Sequence, residues 1–356
     1  REKDSFSSSE RDEITKRYMS FLEWLIKFCL DNTYSNKHFG SFLITTSTLL
    51  HIIEHITLEN PHLPVAPFFN SKRVHDSILS CLVIDTFEDN KKLALKLLFA
   101  LRHTRQNGQE THDLSLDQLG QVAYQLVNSV NPAHSLTCQY VFKLIIGYEE
   151  ISSDVHKNKL IYKHLDRLVS LVESGVRETR DNFILTLKHN AIFPKLTCIR
   201  ALLDEINIKQ LESDKCDWKN LAGRLVTASI EACQSVSSIV CNMNPETIGH
   251  LPMDQEPIDI HKLSENLDRS VQISDAHINT ITSQHLLITG WKTIKECSLS
   301  MGALCTQLWW PKDANLGEPI LESNHIRSII EFFKHYLRNL RHRGAFEQAY
   351  NGFIMV

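Results

Sequence analysis

Residues 286–311 have the sequence LLITGWKTIKECSLSMGALCTQLWWP, which carries an uninterrupted helical pattern. Apolar and small side chains recur every three or four residues, the spacing that places them on one face of an α-helix. Pro311 ends the pattern, because proline cannot donate a backbone hydrogen bond. We expect this face to form part of a core through Leu287, Trp291, Ile294, Ser298, Met301, Cys305 and Trp309.

The opposite face of the same helix carries charge. Lys292 and Glu296 are four residues apart, and Lys295 lies at the edge of the face. This spacing predicts a solvent-exposed ion pair between Lys292 and Glu296, which would stabilise the helix by about 0.3–0.5 kcal/mol.

The same apolar period continues along almost the whole chain, without the strict alternation typical of strands. Only 12 of the 356 residues are glycine, whereas sheets, tight hairpins and phosphate-binding loops use glycine heavily. We therefore predict an all-α protein with helices over 9–30, 36–58, 71–87, 90–106, 115–130, 133–150, 158–180, 193–206, 215–241, 281–309, 322–343 and from 345 onward.

A dozen helices with short connections favour an α-solenoid of degenerate HEAT or armadillo-like repeats, since each helix pair then buries its apolar face against neighbouring pairs. A compact helical bundle is the alternative. We expect helical repeats over 1–241 and a further helical segment over 280–356. Residues 242–279 contain three prolines, seven acidic and two basic residues, which predicts an acidic loop, either a solvated insertion or a docking or autoinhibitory segment.

Composition excludes several functional classes. The net charge of −4 excludes a globally basic nucleic-acid binder, so any RNA contact must be local. The nine cysteines form no C-x-x-C pair, and most lie in apolar helical runs, which predicts buried thiols in a reducing compartment. No apolar run is long enough to span a membrane, and we expect a cytoplasmic protein. The first residue is not methionine, so we expect a fragment of a longer protein.

One short motif would indicate an enzyme. HIIEH at 51–55 matches the H-x-x-E-H pattern of zinc peptidases, in which two histidines bind zinc and the glutamate acts as base. The flanking Leu49, Ile52, Ile53 and Ile56 are typical of an ordinary amphipathic helix, and no third ligand is evident. We therefore expect no metal site and His51 and His55 on the polar edge of a helix.

Other catalytic patterns are missing from the sequence. It contains no G-x-S-x-G, no P-loop and no G-x-G-x-x-G, the turns that hold nucleophiles, nucleotides and dinucleotides. We expect a non-enzymatic chain without catalytic residues and without a cofactor of its own.

The helix predicted over 322–343 combines an apolar and a basic face. Its apolar face consists of Ile326, Ile329, Ile330, Phe333, Leu337 and Leu340. Its basic face consists of Arg327, Lys334, Arg338 and Arg341, with Glu331 as the only acid between 324 and 344. Cations near a helix C-terminus complement the helix dipole, but four on one side also suit phosphate binding, with His335 and His342 as further donors.

A turn follows this helix. Gly344 is expected to end the helix in the left-handed conformation, which places His342, Arg343 and Gly344 in the turn of a helical hairpin. Such turns commonly form binding ridges along a solenoid. Trp291 and Phe346 are expected to pack in the core rather than to stack on nucleotide bases.

Two motifs in this region resemble those of the THADA family, the thyroid adenoma-associated proteins and their fungal relatives. The first is a tryptophan-basic-x-x-Lys-Glu helix, here Trp291, Lys292, Lys295 and Glu296, whose first basic position is usually arginine. The second and more specific is His-Arg-Gly-Ala-Phe-Glu, here residues 342–347. The specific likeness covers about 290–353.

The resemblance implies a large helical-repeat protein that serves as the non-catalytic partner of an FtsJ-type methyltransferase. That complex adds a 2′-O-methyl group in the anticodon loop of tRNA, with S-adenosylmethionine bound by the partner. The residues implied as contacts to tRNA or to the methyltransferase are Lys292, Lys295, Glu296, Arg327, Lys334, Arg338, Arg341, His342 and Arg343. The alternative is a protein–protein adaptor that binds an acidic peptide and no RNA.

Overall fold

A computed structural model describes most of the chain. The described ranges are 7–33, 39–57, 72–104, 116–152, 157–181, 186, 190–207, 215–241, 283–308 and 319–356. Within these ranges the chain forms helices and no strand. The predicted segment 242–279, the end of the predicted stripe at Trp309 and the proline at 311 all lie outside them.

Every predicted helix is present, and the all-α prediction is confirmed for the described ranges. α2 continues into a π-helical turn over Ile52–Thr57. The α-helices are α1 Ser8–Asn32, α2 Phe39–His51, α3 Lys72–Ile84, α4 Glu88–Thr104, α5 Leu116–Leu126, α6 Pro132–Ser152, α7 Lys157–Asp181, α8 Phe193–Leu203, α9 Lys215–Cys241, α10 Ser283–Leu308, α11 Ser323–Asn339 and α12 Arg343–Phe353.

Local chemistry sets several helix ends. Ser7 and Glu10 form a reciprocal capping box at the start of α1, which satisfies two backbone donors that a helix N-terminus leaves free. Pro194 lies in the first turn of α8, where its missing N–H costs nothing. α11 ends four residues earlier than predicted, because Leu340 leaves the helical region at ψ 128°.

The chain divides into two compact units, and the first comprises residues 1–119. In it α1 packs on α2, α2 packs on α4, and α3 packs on α4. The buried side chain of Lys91 donates from Nζ to the carbonyl oxygens of Leu82 (2.7 Å) and Val83 (3.1 Å). These bonds help to satisfy the carbonyls of the last turn of α3.

The second unit, residues 120–356, has its helices in two layers. In one layer α6 packs on α8, α8 on α10, and α10 on α12. In the other, α7 packs on α9 and α9 on α11. α10 therefore lies among four helices, α8, α9, α11 and α12, and most of its side chains are buried.

α10 and α12 approach closely through two glycines. A Cβ atom on Gly302 would lie 2.7 Å from the carbonyl oxygen of Gly352. A Cβ atom on Gly352 would collide with the carbonyl group of Ser298, 2.7 Å from its carbon. Real Cβ atoms do not make such contacts, so the two backbones can be this close only because both positions lack a side chain.

The cysteines behave as buried apolar residues, as predicted. Seven of the eight cysteines in the described ranges whose side chains are placed are buried, and all eight are free thiols. Burial raises the pKa of Cys81 and of Cys305 to about 12. Among the described helices, none is both long and apolar enough to cross a membrane.

Candidate nucleic-acid interface

The basic face predicted on α11 and the turn after it is exposed. Arg327, Lys334, Arg338 and Arg341 are all exposed. Lys334 donates to Glu331, with Nζ 2.6 Å from Oε1. The three arginines make no ion pair or side-chain hydrogen bond with any part of the chain that the structure describes, so their guanidinium groups face solvent.

The apolar face of α11 is rotated from the predicted one. Ile329, Phe333 and Leu340 are buried as expected, whereas Ile326, Ile330 and Leu337 are only half-buried. The buried positions that the periodicity missed are Phe332 and Tyr336, whose rings lie 4.6 Å apart. α11 contacts α9, α10 and α12. The positions of these three helices, and not the apolar pattern of α11 alone, decide which of its residues are buried.

The turn between α11 and α12 differs from the predicted glycine cap. Gly344 lies inside the first turn of α12 and does not adopt the left-handed conformation. His342 is the residue that caps α12, because its Nδ1 accepts a hydrogen bond from the backbone N–H of Ala345 at 3.1 Å. A Cβ atom on Gly344 would lie 3.3 Å from Cε1 of His342, so glycine gives the imidazole room across the helix end.

The same imidazole joins the turn to α10. The rings of Trp291 and His342 are stacked, with centroids 5.5 Å apart and an angle of 12° between their planes. Phe346 is 41% exposed, so the prediction that it packs in the core is wrong. Trp291 is half-buried, so only part of its ring packs in the core. Burial lowers the pKa of His342, which keeps the ring neutral and able to accept at Nδ1.

Arg343, the arginine of the His-Arg-Gly-Ala-Phe-Glu motif, is exposed. Its Nε donates to Oε1 of Glu347 at 2.8 Å, one turn later on α12. An exposed pair of this kind contributes little to stability, so Arg343 can exchange Glu347 for another anion at low cost.

The charged face predicted on α10 is wrong for Glu296. Its side chain is only 6% exposed and pairs with Arg200 of α8, not with Lys292. Nε of Arg200 donates to Oε2 of Glu296 at 3.1 Å, and Nζ of Lys295 lies 3.5 Å from Oε1. Arg200 lies 96 residues before Glu296, and no spacing rule in the sequence connects the two.

Lys292 is half-buried against two aromatic rings. Its Nζ lies 5.2 Å from the ring centroid of Trp291 and 5.6 Å from that of Phe193. Burial, together with the nearby charge of Lys295, lowers the pKa of Lys292. Within the described ranges Lys292 makes no hydrogen bond or ion pair, so its charge is stabilised by the two rings and, at longer range, by Glu296.

The HIIEH motif lies where α2 continues into the π-helical turn. His51 and Glu54 are exposed, while Leu49, Ile52 and Ile53 are buried. The side chain of His55 lies outside the described residues. No group of three or more His, Cys, Asp or Glu side chains in the described ranges is arranged to hold a metal ion.

The fold and the site define a class of protein, an all-helical one with a cationic surface on one helix and the turn after it. In the second unit this surface lies on α11 and on the turn before α12. This surface is joined to the buried motif of α10 by the Trp291–His342 stack.

The C-terminal part of the chain matches a known family model. Residues 220–356 match the family model described as DUF2428, THADA/TRM732. The chain is similar to curated proteins named tRNA (32-2'-O)-methyltransferase regulator THADA, with 26% identity over 345 residues in Gallus gallus and 23% over 338 residues in Homo sapiens. These matches cover 81% and 79% of this chain and 17% of each relative.

A fungal relative matches over more of the chain. The regulator trm732 of Schizosaccharomyces pombe is 22% identical over 357 residues, which cover 95% of this chain and 21% of the relative. The chain thus spans about a fifth of the length of the curated relatives it matches. No solved structure matches.

Proposed function

We propose that this chain is a non-catalytic segment of a regulator of a tRNA 2′-O-methyltransferase, and that α11 and the following turn bind the RNA backbone. One observation carries the proposal: Arg327, Arg338 and Arg341 are exposed and have no acidic partner within the described ranges. Guanidinium groups bind phosphate through two parallel hydrogen bonds. A row of them on one helix suits a chain of phosphates.

The relatives' name supports the choice of RNA and of a regulatory role. We infer that the catalytic partner is an FtsJ-type methyltransferase that binds S-adenosylmethionine, while this chain helps to position the anticodon loop. We place the complex in the cytoplasm. The other proposed contacts to tRNA or to the methyltransferase are Lys292, Lys295, Glu296, Lys334, His342 and Arg343.

We further propose that the second unit is part of a solenoid of HEAT-like repeats. The alternation of its helices between two layers supports this, because helices two apart in a solenoid stack on one another. In such an array the turn before α12 would lie on one edge, where neighbouring turns extend the same surface.

The experiment is tRNA binding by the complete protein with its methyltransferase, measured at several salt concentrations. We expect Arg338→Ala with Arg341→Ala to lower the affinity and to reduce the slope of log K against log salt by about one unit for each phosphate that is no longer bound. The matched control is Arg11→Ala with Arg73→Ala, which removes two exposed arginines from α1 and α3. If both double variants bind and methylate tRNA as the unaltered protein does, the proposed RNA surface is wrong.

A second candidate function is supported by the face of α12. Phe346, Tyr350 and Phe353 are 41–51% exposed and lie at helical spacing directly after the basic turn. Exposed apolar side chains next to charge are typical of protein interfaces. An adaptor without RNA binding would keep its affinity for the methyltransferase when no tRNA is present and would retain no tRNA on purification.

A further inference from the structure

The second unit contains another group of cations, on α8 and α10, which we call the inner cluster. It consists of Arg200, Lys292 and Lys295, and Glu296 is the acid among them. Both oxygens of Glu296 are occupied, Oε2 by Arg200 at 3.1 Å and Oε1 by Lys295 at 3.5 Å. Three cations thus surround one carboxylate, which leaves the inner cluster with a charge of about +2.

Lys292 is the member that internal packing does not explain. Its ammonium group is half-buried, faces the rings of Trp291 and Phe193, and makes no hydrogen bond or ion pair within the described ranges. Lys295 is close enough to disfavour its charge further. Glu296 offsets part of this cost, but it is shared with Arg200 and Lys295. A half-buried cation beside a like charge, without an anion bonded to it, is stabilised when a further anion binds, so this arrangement indicates a binding site.

Arg200 also has unused donors. Of its guanidinium nitrogens, only Nε is engaged by Glu296, and neither Nη atom bonds to any residue in the described part of the chain. Glu296 therefore orients the guanidinium plane while the outer edge remains free. This outer edge is the part of arginine that binds two oxygens of a phosphate.

The inner cluster is connected to the exposed basic surface. Lys292 follows Trp291, whose ring stacks on His342, and His342 lies between Arg341 and Arg343. Both of these arginines are exposed. The stack therefore places the turn of α10 that precedes Lys292 against the turn that carries Arg341 and Arg343.

We propose that the inner cluster binds a second phosphate of the RNA, through Lys292, Lys295 and the Nη atoms of Arg200. This inference rests on the proposed function. A phosphodiester fits the inner cluster because its free donors are the Nη edge of Arg200, which can bind two phosphate oxygens, and two ammonium groups. The cluster still presents donors from two helices, which matches an anion with several oxygens in three dimensions.

The test compares four forms of the complete protein with its methyltransferase, by tRNA affinity, salt slope and thermal unfolding. We expect Lys292→Gln with Lys295→Gln to lower affinity roughly tenfold and to reduce the salt slope by about two units. Lys292→Arg should retain the affinity of the unaltered protein, because arginine keeps the charge and adds a phosphate-binding fork.

The control is Lys96→Gln with Lys159→Gln, which removes two exposed lysines from α4 and α7. It should leave affinity nearly unchanged. Thermal unfolding separates binding from structure. Removing Lys292 relieves its repulsion with Lys295, whereas removing Lys295 gives up its 3.5 Å contact with Glu296 while Arg200 still pairs with that carboxylate, so we expect only a small change in the unfolding temperature. A fall in unfolding temperature that accounts for the reduced affinity would make the inner cluster structural and overturn the proposal.

The remaining outcomes distinguish this inference from the proposed function. If Arg338→Ala with Arg341→Ala weakens tRNA binding while the Lys292/Lys295 variant matches its control, only the inner cluster is excluded. If the Lys292/Lys295 variant loses the methyltransferase but still binds tRNA, the cluster contacts protein and the inference is wrong. If the unaltered protein binds no tRNA, both proposals fail.

Discussion

α10 and α11 each carry basic residues and a single glutamate but have very different surroundings in the fold. α11 contacts three helices and keeps its arginines in solvent. α10 contacts four helices, and its Glu296 is buried and paired with a neighbouring helix. The same residue types therefore stabilise the interior in one helix and remain available for a partner in the other.

The difference shows what decides the role of a charged side chain. Three neighbouring helices cover α11 only in part, so one of its faces is exposed to solvent. On this face Glu331 pairs with Lys334, and solvent and salt screen the interaction. On α10 no wide face is open, so the charged residues must either pair, as Glu296 does, or remain desolvated, as Lys292 does. Three predictions test this contrast.

The largest effect should come from the contact that confines α10. We expect Gly352→Ala to lower the free energy of unfolding by about 3 kcal/mol, because the added methyl group collides with the backbone at Ser298 and must separate α10 from α12. Urea or thermal unfolding measures the change. Gly120→Ala in α5 is the control, since a Cβ atom there meets nothing within 4 Å and should be neutral or slightly stabilising. Equal stability of the two variants would contradict the close approach.

The next effect compares the two glutamates directly. We expect Glu296→Gln to lower the free energy of unfolding by about 2 kcal/mol, because it leaves Arg200 and Lys295 without a counter-charge in a half-buried site. Glu331→Gln should change it by less than about 0.5 kcal/mol, since both partners of the Glu331–Lys334 pair are exposed. Similar losses in the two variants would show that burial does not separate the two helices.

The smallest effect should be the pH dependence that His342 contributes. Burial lowers the pKa of His342 in the folded chain, whereas the unfolded chain takes up the proton near the usual pH of about 6.5. Stability from this residue is therefore complete above that pH and is lost as pH falls through it toward the lowered pKa. Protonation also removes the Nδ1 acceptor that caps α12.

His342→Asn isolates this contribution. Asparagine caps helices well but does not titrate, so the difference in unfolding free energy between the unaltered protein and the variant should shrink as pH falls from about 8 to about 5. His164 is present in both proteins, and burial lowers its pKa to about 4. Its contribution to the pH dependence is therefore the same in both and cancels in the difference. A difference that does not vary with pH would exclude a role for His342 titration.

The helices could be predicted from the sequence because helix formation depends on local periodicity. All twelve predicted segments are present, and the main errors are at ends such as Leu340, where the chain turns to pack α12. The exposed basic face of α11 could also be predicted, because the side of a helix that no neighbour covers keeps the regular spacing of its residues. The rotation of the buried face toward Phe332 and Tyr336 could not be predicted, because it depends on the positions of α9, α10 and α12.

The candidate site was only partly predictable for the same reason. The motif around His342 was found by resemblance, but its mechanism was misjudged, since the capping group is the histidine and not Gly344. The partner of Glu296 could not be found from spacing, because Arg200 belongs to a helix that reaches α10 only in the folded chain.

The glycine contact between α10 and α12 also bears on the thermodynamics of association. Because the two backbones touch at Gly302 and Gly352 and the rings of Trp291 and His342 stack near the other end of α12, the turn has little freedom to move relative to α10. A preorganised turn loses less conformational entropy when it captures a partner. Loosening the glycine contact should therefore weaken binding mainly through faster dissociation, even though neither glycine touches the ligand.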